Sequence, residues 1–80
     1  MAAEILIVDD NADIRNIINE LIVDSGYKTR LAANYNQALA EIDKKLPDVA
    51  ILDVKLDKGD NDGIELLSHI KKKNKDIPVI

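Results

Sequence analysis

Two short apolar runs that each end in a carboxylate constrain this chain more than any other feature. Ile5-Leu6-Ile7-Val8 runs straight into Asp9-Asp10, and Val49-Ala50-Ile51-Leu52 runs into Asp53. Uninterrupted aliphatic runs of this length read as strands buried on both faces, the situation of a parallel sheet. A charge at the end of such a strand needs a reason. Open α/β sheets place their sites outside the carboxyl ends of the strands, where the winding reverses, so neighbouring strands would bring three carboxylates into one crevice.

The intervening segments carry helical signals. Asn11 or Asp10 can cap a helix that reaches about Ser25, because short oxygen-bearing side chains satisfy the free N–H groups of a first turn. Ile14, Ile17, Ile18, Leu21 and Ile22 recur at helical spacing and predict a single stripe facing the sheet. Gly26 stops that helix where a left-handed residue is needed. Tyr27 to Ala32 is β-prone but mixed and reads as an edge strand. Asn34 can cap a second helix, to about Lys45, with a narrower face of Ala38, Leu39 and Ile42, and Pro47-Asp48 punctuates the entry to the Val49–Asp53 strand. After a polar stretch from Lys55 to Asp62, with Gly59 and Gly63 marking turns, a third helix carries Ile64, Leu67 and Ile70 on one side. Lys71, Lys72, Lys73 and Lys75 crowd its end, where cations complement the helix dipole. Ile77-Pro78-Val79-Ile80 begins a further strand. Strands and helices alternate with short connections, which predicts an α/β fold with a doubly wound parallel sheet and right-handed crossovers. With the first strand between the second and third, Asp9, Asp10 and Asp53 share the crevice.

Composition narrows the function classes. Eighty residues, 46% hydrophobic and 32% charged, describe one soluble domain with a small core. Without Trp or Phe, that core must be aliphatic. The absence of Cys removes disulfides and thiolate metal sites. A net charge of −4 argues against direct nucleic-acid binding by these residues. No apolar run approaches a membrane span and the N-terminus lacks a signal peptide's regions, so no membrane role and a cytoplasmic location are expected.

Three carboxylates brought together either hold protons or hold a cation, since like charges at close range disfavour ionisation. Mg²⁺ suits such a cluster, because it takes one or two carboxylates and fills its octahedron with waters and phosphate oxygens. With charge neutralised in that way, an aspartate can attack a phosphoryl group. Asp53 is the better nucleophile candidate because it stands alone at its strand end. The adjacent pair Asp9-Asp10 has the arrangement of metal ligands.

Taken together, Ile5-Leu6-Ile7-Val8-Asp9-Asp10-Asn11, Ile51-Leu52-Asp53 and Asp62-Gly63-Ile64-Glu65-Leu66-Leu67 resemble the receiver domain of two-component response regulators. The resemblance covers essentially the whole chain and implies a flavodoxin-like sheet of order 2-1-3-4, with residues 1–80 forming the N-terminal portion of the domain and a fifth β/α unit missing. It implies that Asp53 is the phosphoacceptor, Asp10 a direct Mg²⁺ ligand, Asp9 a metal-site acid acting partly through water, and Lys55 a ligand through its backbone carbonyl. A sensor histidine kinase would donate the phosphoryl group, and an output domain in the parent chain, DNA-binding by this resemblance, would respond. Asp57 stands where receivers usually carry proline, and Asp62-Gly63 comes two residues later than the family's usual spacing. The longer loop resembles receivers of the nitrogen-regulation type. The family's hydroxyl residue after strand four and lysine at the end of strand five would both fall beyond Ile80.

Blander readings compete for the same residues. Asp10 and Asn11 also suit plain helix capping. The Asp57–Gly63 stretch fails as a calcium loop: with Gly63 at the sixth position, Lys58 occupies the first ligand position and His69 the place of the bidentate Glu. His69 has no Cys or second His to complete a site and reads as a solvated residue. The alternative to a phosphorylated signalling module, not a turnover enzyme, is a pseudo-receiver that keeps the fold as a protein interaction or dimerisation module. An unpaired strand edge and uncovered apolar surface on the first and third helices predict self-association.

Overall fold

A computed structural model describes residues 3–52 and 62–80. In chain order the elements are β1 (Glu4–Val8), α1 (Ala12–Asp24), β2 (Lys28–Ala32), α2 (Tyr35–Lys44), β3 (Val49–Leu52) and α3 (Asp62–Lys73). The strands form a parallel sheet of order β2-β1-β3. Residues 78–80 lie along the outer side of β3: the Ala50 N–H donates to the Pro78 carbonyl at 3.0 Å and the Ile80 N–H to the Ala50 carbonyl at 2.9 Å. The sheet order is thus 2-1-3, with β2 on an edge as expected and an isolated parallel bridge from Val79 to Ala50 on the side where a fourth strand is expected.

Ile5, Leu6, Ile7 and Val8 are all buried, so β1 meets the expectation of a strand covered on both faces. Leu6 and Val8 join Ala32, Ala38, Ile42, Ala50, Leu66, Ile70 and Ile77 in one cluster between the sheet and the α2/α3 layer. In β3 only Ala50 is fully buried, and Val49, Ile51 and Leu52 are half-buried. Val49 and Ile51 pair in register with Ile5 and Ile7 and so face the α1 side, where cover is thinner.

Local chemistry sets the helix ends. Asn11 Oδ1 accepts the N–H groups of Asp13 and Ile14 at 2.9 and 3.1 Å, which starts α1. At its other end Gly26 has φ 92°. Its N–H donates to Val23 and that of Tyr27 to Ile22, the paired bonds of a Schellman termination. Asn34 caps α2 through the Gln37 N–H at 2.8 Å.

Two expected faces differ from those observed. Along α1, only the Ile18 and Ile22 flank is half-buried, whereas Ile14, Ile17 and Leu21 are 47%, 58% and 65% exposed. The stripe is broad, and α1 rests on β1 and β2 with one of its edges. In α3 the inward residues are Gly63, Leu66 and Ile70, not Ile64, Leu67 and Ile70. At about 100° per residue, Ile64 is roughly two-fifths of a turn away from the Leu66/Ile70 direction, and it is 55% exposed. Gly63 belongs to the first turn of α3 and does not mark a separate turn before it.

The ends of the strands away from the acids are tied by polar contacts. Glu4 and Asp48 bond reciprocally, the Glu4 N–H to Asp48 Oδ2 at 2.7 Å and the Asp48 N–H to the Glu4 carbonyl at 2.8 Å. Arg30 on β2 donates to the carbonyls of Glu41 and Lys45 at 2.9 and 2.6 Å, which joins β2 to the end of α2. Its Nε also pairs by charge with Glu4, although the N–H is not aligned for a hydrogen bond.

Candidate functional site

The acids Asp9 and Asp10 sit where β1 leaves the sheet. Val8, Asp9, Asp10, Asn11, Ile14, Ile18, Ile51 and Leu52 line an open crevice of about 490 Å³ at the carboxyl ends of β1 and β3. Val8 and Leu52 are register partners, so the last residue of β3 lies beside the strand end that leads into the acid pair. This is the switch-point position at which doubly wound sheets bind ligands. Asp53 and Lys55, together with the remainder of the polar stretch through Asn61, lie outside the described residues.

The two described acids are held differently. The Asp9 N–H donates to the Ala32 carbonyl at 3.2 Å, and Asp9 Oδ1 accepts the Asn11 N–H at 2.9 Å. One carboxylate oxygen of Asp9 is thus engaged by the backbone. Asp10 is exposed, and among the described residues its carboxylate has no hydrogen-bond partner. An unengaged carboxylate at the mouth of a crevice suits direct cation binding. Oxygen donors of this type match a hard divalent ion such as Mg²⁺. Among the described residues no three His, Cys, Asp or Glu side chains form a metal-binding group, so the pair needs a further donor to make a complete site.

Sequence reasoning overlooked Arg15. Its Nη1 donates to the Asp9 carbonyl at 2.8 Å from a half-buried position in the first turns of α1. The available signal was an arginine one helical turn beyond the Asn11 cap, close enough to reach back over the strand end. His69, read as solvated, instead bonds Asp43 of α2 through Nε2 at 2.9 Å. It bridges two helices away from the crevice.

A doubly wound α/β domain with an acid pair at its switch point is the class that this fold and site define. Residues 5–80 match the response regulator receiver domain family, and the chain belongs to that family. Receiver domains of response regulators are phosphorelay signalling domains. The chain is 41% identical over its whole length to the nitrogen assimilation regulatory protein NtrX of Azorhizobium caulinodans, of which it spans 18%. It is 44% identical, again over its whole length, to the sporulation initiation phosphotransferase F of Bacillus subtilis, of which it spans 63%. The crystal structure of NtrX from Brucella abortus superposes with a TM-score of 0.87 at 42% identity, covering 99% of this chain and 18% of that one. The expected likeness to nitrogen-regulation receivers is borne out by these relatives. Among the described residues, no helix is long and apolar enough to cross a membrane.

Proposed function

We propose that the chain accepts a phosphoryl group on Asp53 from a phosphohistidine of a sensor histidine kinase, in a Mg²⁺-dependent step that switches an output domain of the parent protein. The observation that supports this reading is the crevice at the carboxyl ends of β1 and β3, lined by Asp9 and Asp10 and bordered by Leu52 immediately before Asp53. In the transfer, the Asp53 carboxylate forms a P–O bond as the phosphohistidine P–N bond breaks, and the released imidazole takes up a proton. Asp10 serves as the direct metal ligand, Asp9 acts partly through water, and Lys55 contributes its backbone carbonyl. The bound metal supplies charge neutralisation for the carboxylates and the phosphoryl oxygens. Val8, Ile51 and Leu52 supply the apolar part of the crevice lining. The nitrogen assimilation regulatory protein NtrX is by name a regulatory protein, which supports a regulatory output in the parent protein, and a DNA-binding one is what the receiver resemblance implies.

The test is covalent labelling. Incubation with a small phosphodonor and Mg²⁺ should add one phosphoryl group by intact mass, acid-stable and base-labile, and chelation of the metal should prevent it. Lack of labelling with Mg²⁺ present would favour the pseudo-receiver, a module that binds partners without being phosphorylated.

A further inference from the structure

Asp10 makes no hydrogen bond of its own among the described residues, so its position is inherited from its neighbours. Asn11 on one side is fixed as the α1 cap and through its N–H to the Asp9 carboxylate. Asp9 on the other side is held at its N–H by Ala32 and at its carbonyl by the Arg15 guanidinium. Among the described residues no backbone N–H reaches that carbonyl. Arg15 also donates its own N–H to the Asn11 carbonyl at 2.9 Å, so a single residue grips both ends of the Asp9–Asn11 turn.

We infer that Arg15 is the positioning residue of the acidic turn, holding the Asp10 carboxylate at the crevice through its bond to the Asp9 carbonyl. The inference rests on the reading of Asp9 and Asp10 as a Mg²⁺ site, and it concerns what keeps that site formed. The sign of the effect separates geometry from charge. A cation beside a metal site opposes metal binding by Coulomb repulsion, so an Arg15 that acted only through its charge would weaken Mg²⁺ binding, and its removal would tighten it. An Arg15 that acts by positioning does the reverse.

The experiment is calorimetric titration of MgCl₂ into wild type, Arg15→Met and Asp10→Asn, with thermal melts of each. Met keeps the apolar stem and a good helix propensity while removing the fork. Residues that orient metal ligands typically contribute ten- to a hundredfold in affinity, and because Arg15 acts through the main chain, Arg15→Met should weaken binding by about tenfold. Equal or tighter binding by Arg15→Met, beside weakened binding by Asp10→Asn, overturns the role of Arg15 and leaves the site. Wild-type protein that binds no Mg²⁺ overturns the site and this inference together. A reading independent of any variant comes from NMR of the Arg15 side chain: in metal-free wild type its guanidinium N–H signals should be resolved and slowly exchanging because Nη1 is held by the Asp9 carbonyl, and a freely rotating, rapidly exchanging guanidinium overturns the inference even if Arg15→Met fails to fold.

Discussion

Asp43 and His69 meet across α2 and α3, with Nε2 of the imidazole 2.9 Å from the carboxylate and Lys73 3.5 Å from the same oxygen. The His69 hydrogen bond holds the Asp43 carboxyl below its ordinary value of 3.8, assisted by the Lys73 charge and opposed by burial. A depressed carboxyl contributes stability that is present above the unfolded value and is lost as pH falls through the folded one. Wild type should therefore be more stable than Asp43→Asn near neutral pH, and the difference should close below about pH 3.8. Chemical denaturation at a series of pH values checks this. A difference that stays constant into acid would show that the Asp43 carboxyl is not held below its ordinary value.

Arg30 is the polar anchor at the opposite end of the sheet from the acids. Its side chain is 17% exposed and that of Glu4 20%, so removing the guanidinium takes the nearer cation from a largely buried carboxylate, with Lys45 left 3.6 Å away, and takes a donor from two helix-end carbonyls. Arg30→Ala should cost roughly 2–3 kcal/mol, the scale of hydrogen bonds to charged groups. Arg30→Lys should recover only part of it, since an ammonium cannot reproduce a planar fork serving several acceptors. Urea denaturation of the three proteins measures both.

Asn11 starts α1 with two side-chain bonds. Asn11→Ala should lower stability by about 1 kcal/mol, and Asn11→Asp should retain most of it, because either side chain accepts from the first turn. Equal thermal melts for Asn11→Ala and wild type would assign the start of α1 to tertiary packing.

The helix boundaries and the place of the acids were legible because they depend on neighbours in sequence. Asn11, Gly26 and Asn34 each act within a few residues of themselves. Asp9 and Asp10 are located by the apolar run that they end. What escaped depended on distant partners. Leu66 and Leu67 are adjacent, and periodicity alone does not say which one faces the sheet; the α2 and β3 contacts select Leu66. His69 and Asp43 are 26 positions apart, so no local pattern joins them. The α1 stripe reads in sequence as a single face turned to the sheet, yet only its Ile18 and Ile22 flank is half-buried, because the extent of burial depends on what lies over it. Asp53 and Lys55, assigned from strand-end placement and family resemblance, lie outside the described residues.

Ile14, Ile17 and Leu21 form an exposed apolar stripe along α1, and Ile64 and Ile80 are exposed beside a small apolar pocket that also includes Leu67 and Val79. Contiguous apolar surface of this kind favours association. The 80-residue chain should sediment with a mass that rises with concentration, and Leu21→Glu should shift it toward monomer. A monomer at all concentrations would show that these surfaces do not pair with each other.

Peptide mapping of the labelled chain tests most directly whether Asp53, the residue that follows β3 in sequence, takes the phosphoryl group. After incubation with Mg²⁺ and a small phosphodonor, mass spectrometry should locate a single acyl phosphate on Asp53, and Asp53→Asn should abolish it because an amide is a poor nucleophile. Label that persists in Asp53→Asn, or that maps to Asp9, Asp10 or His69, would contradict the account.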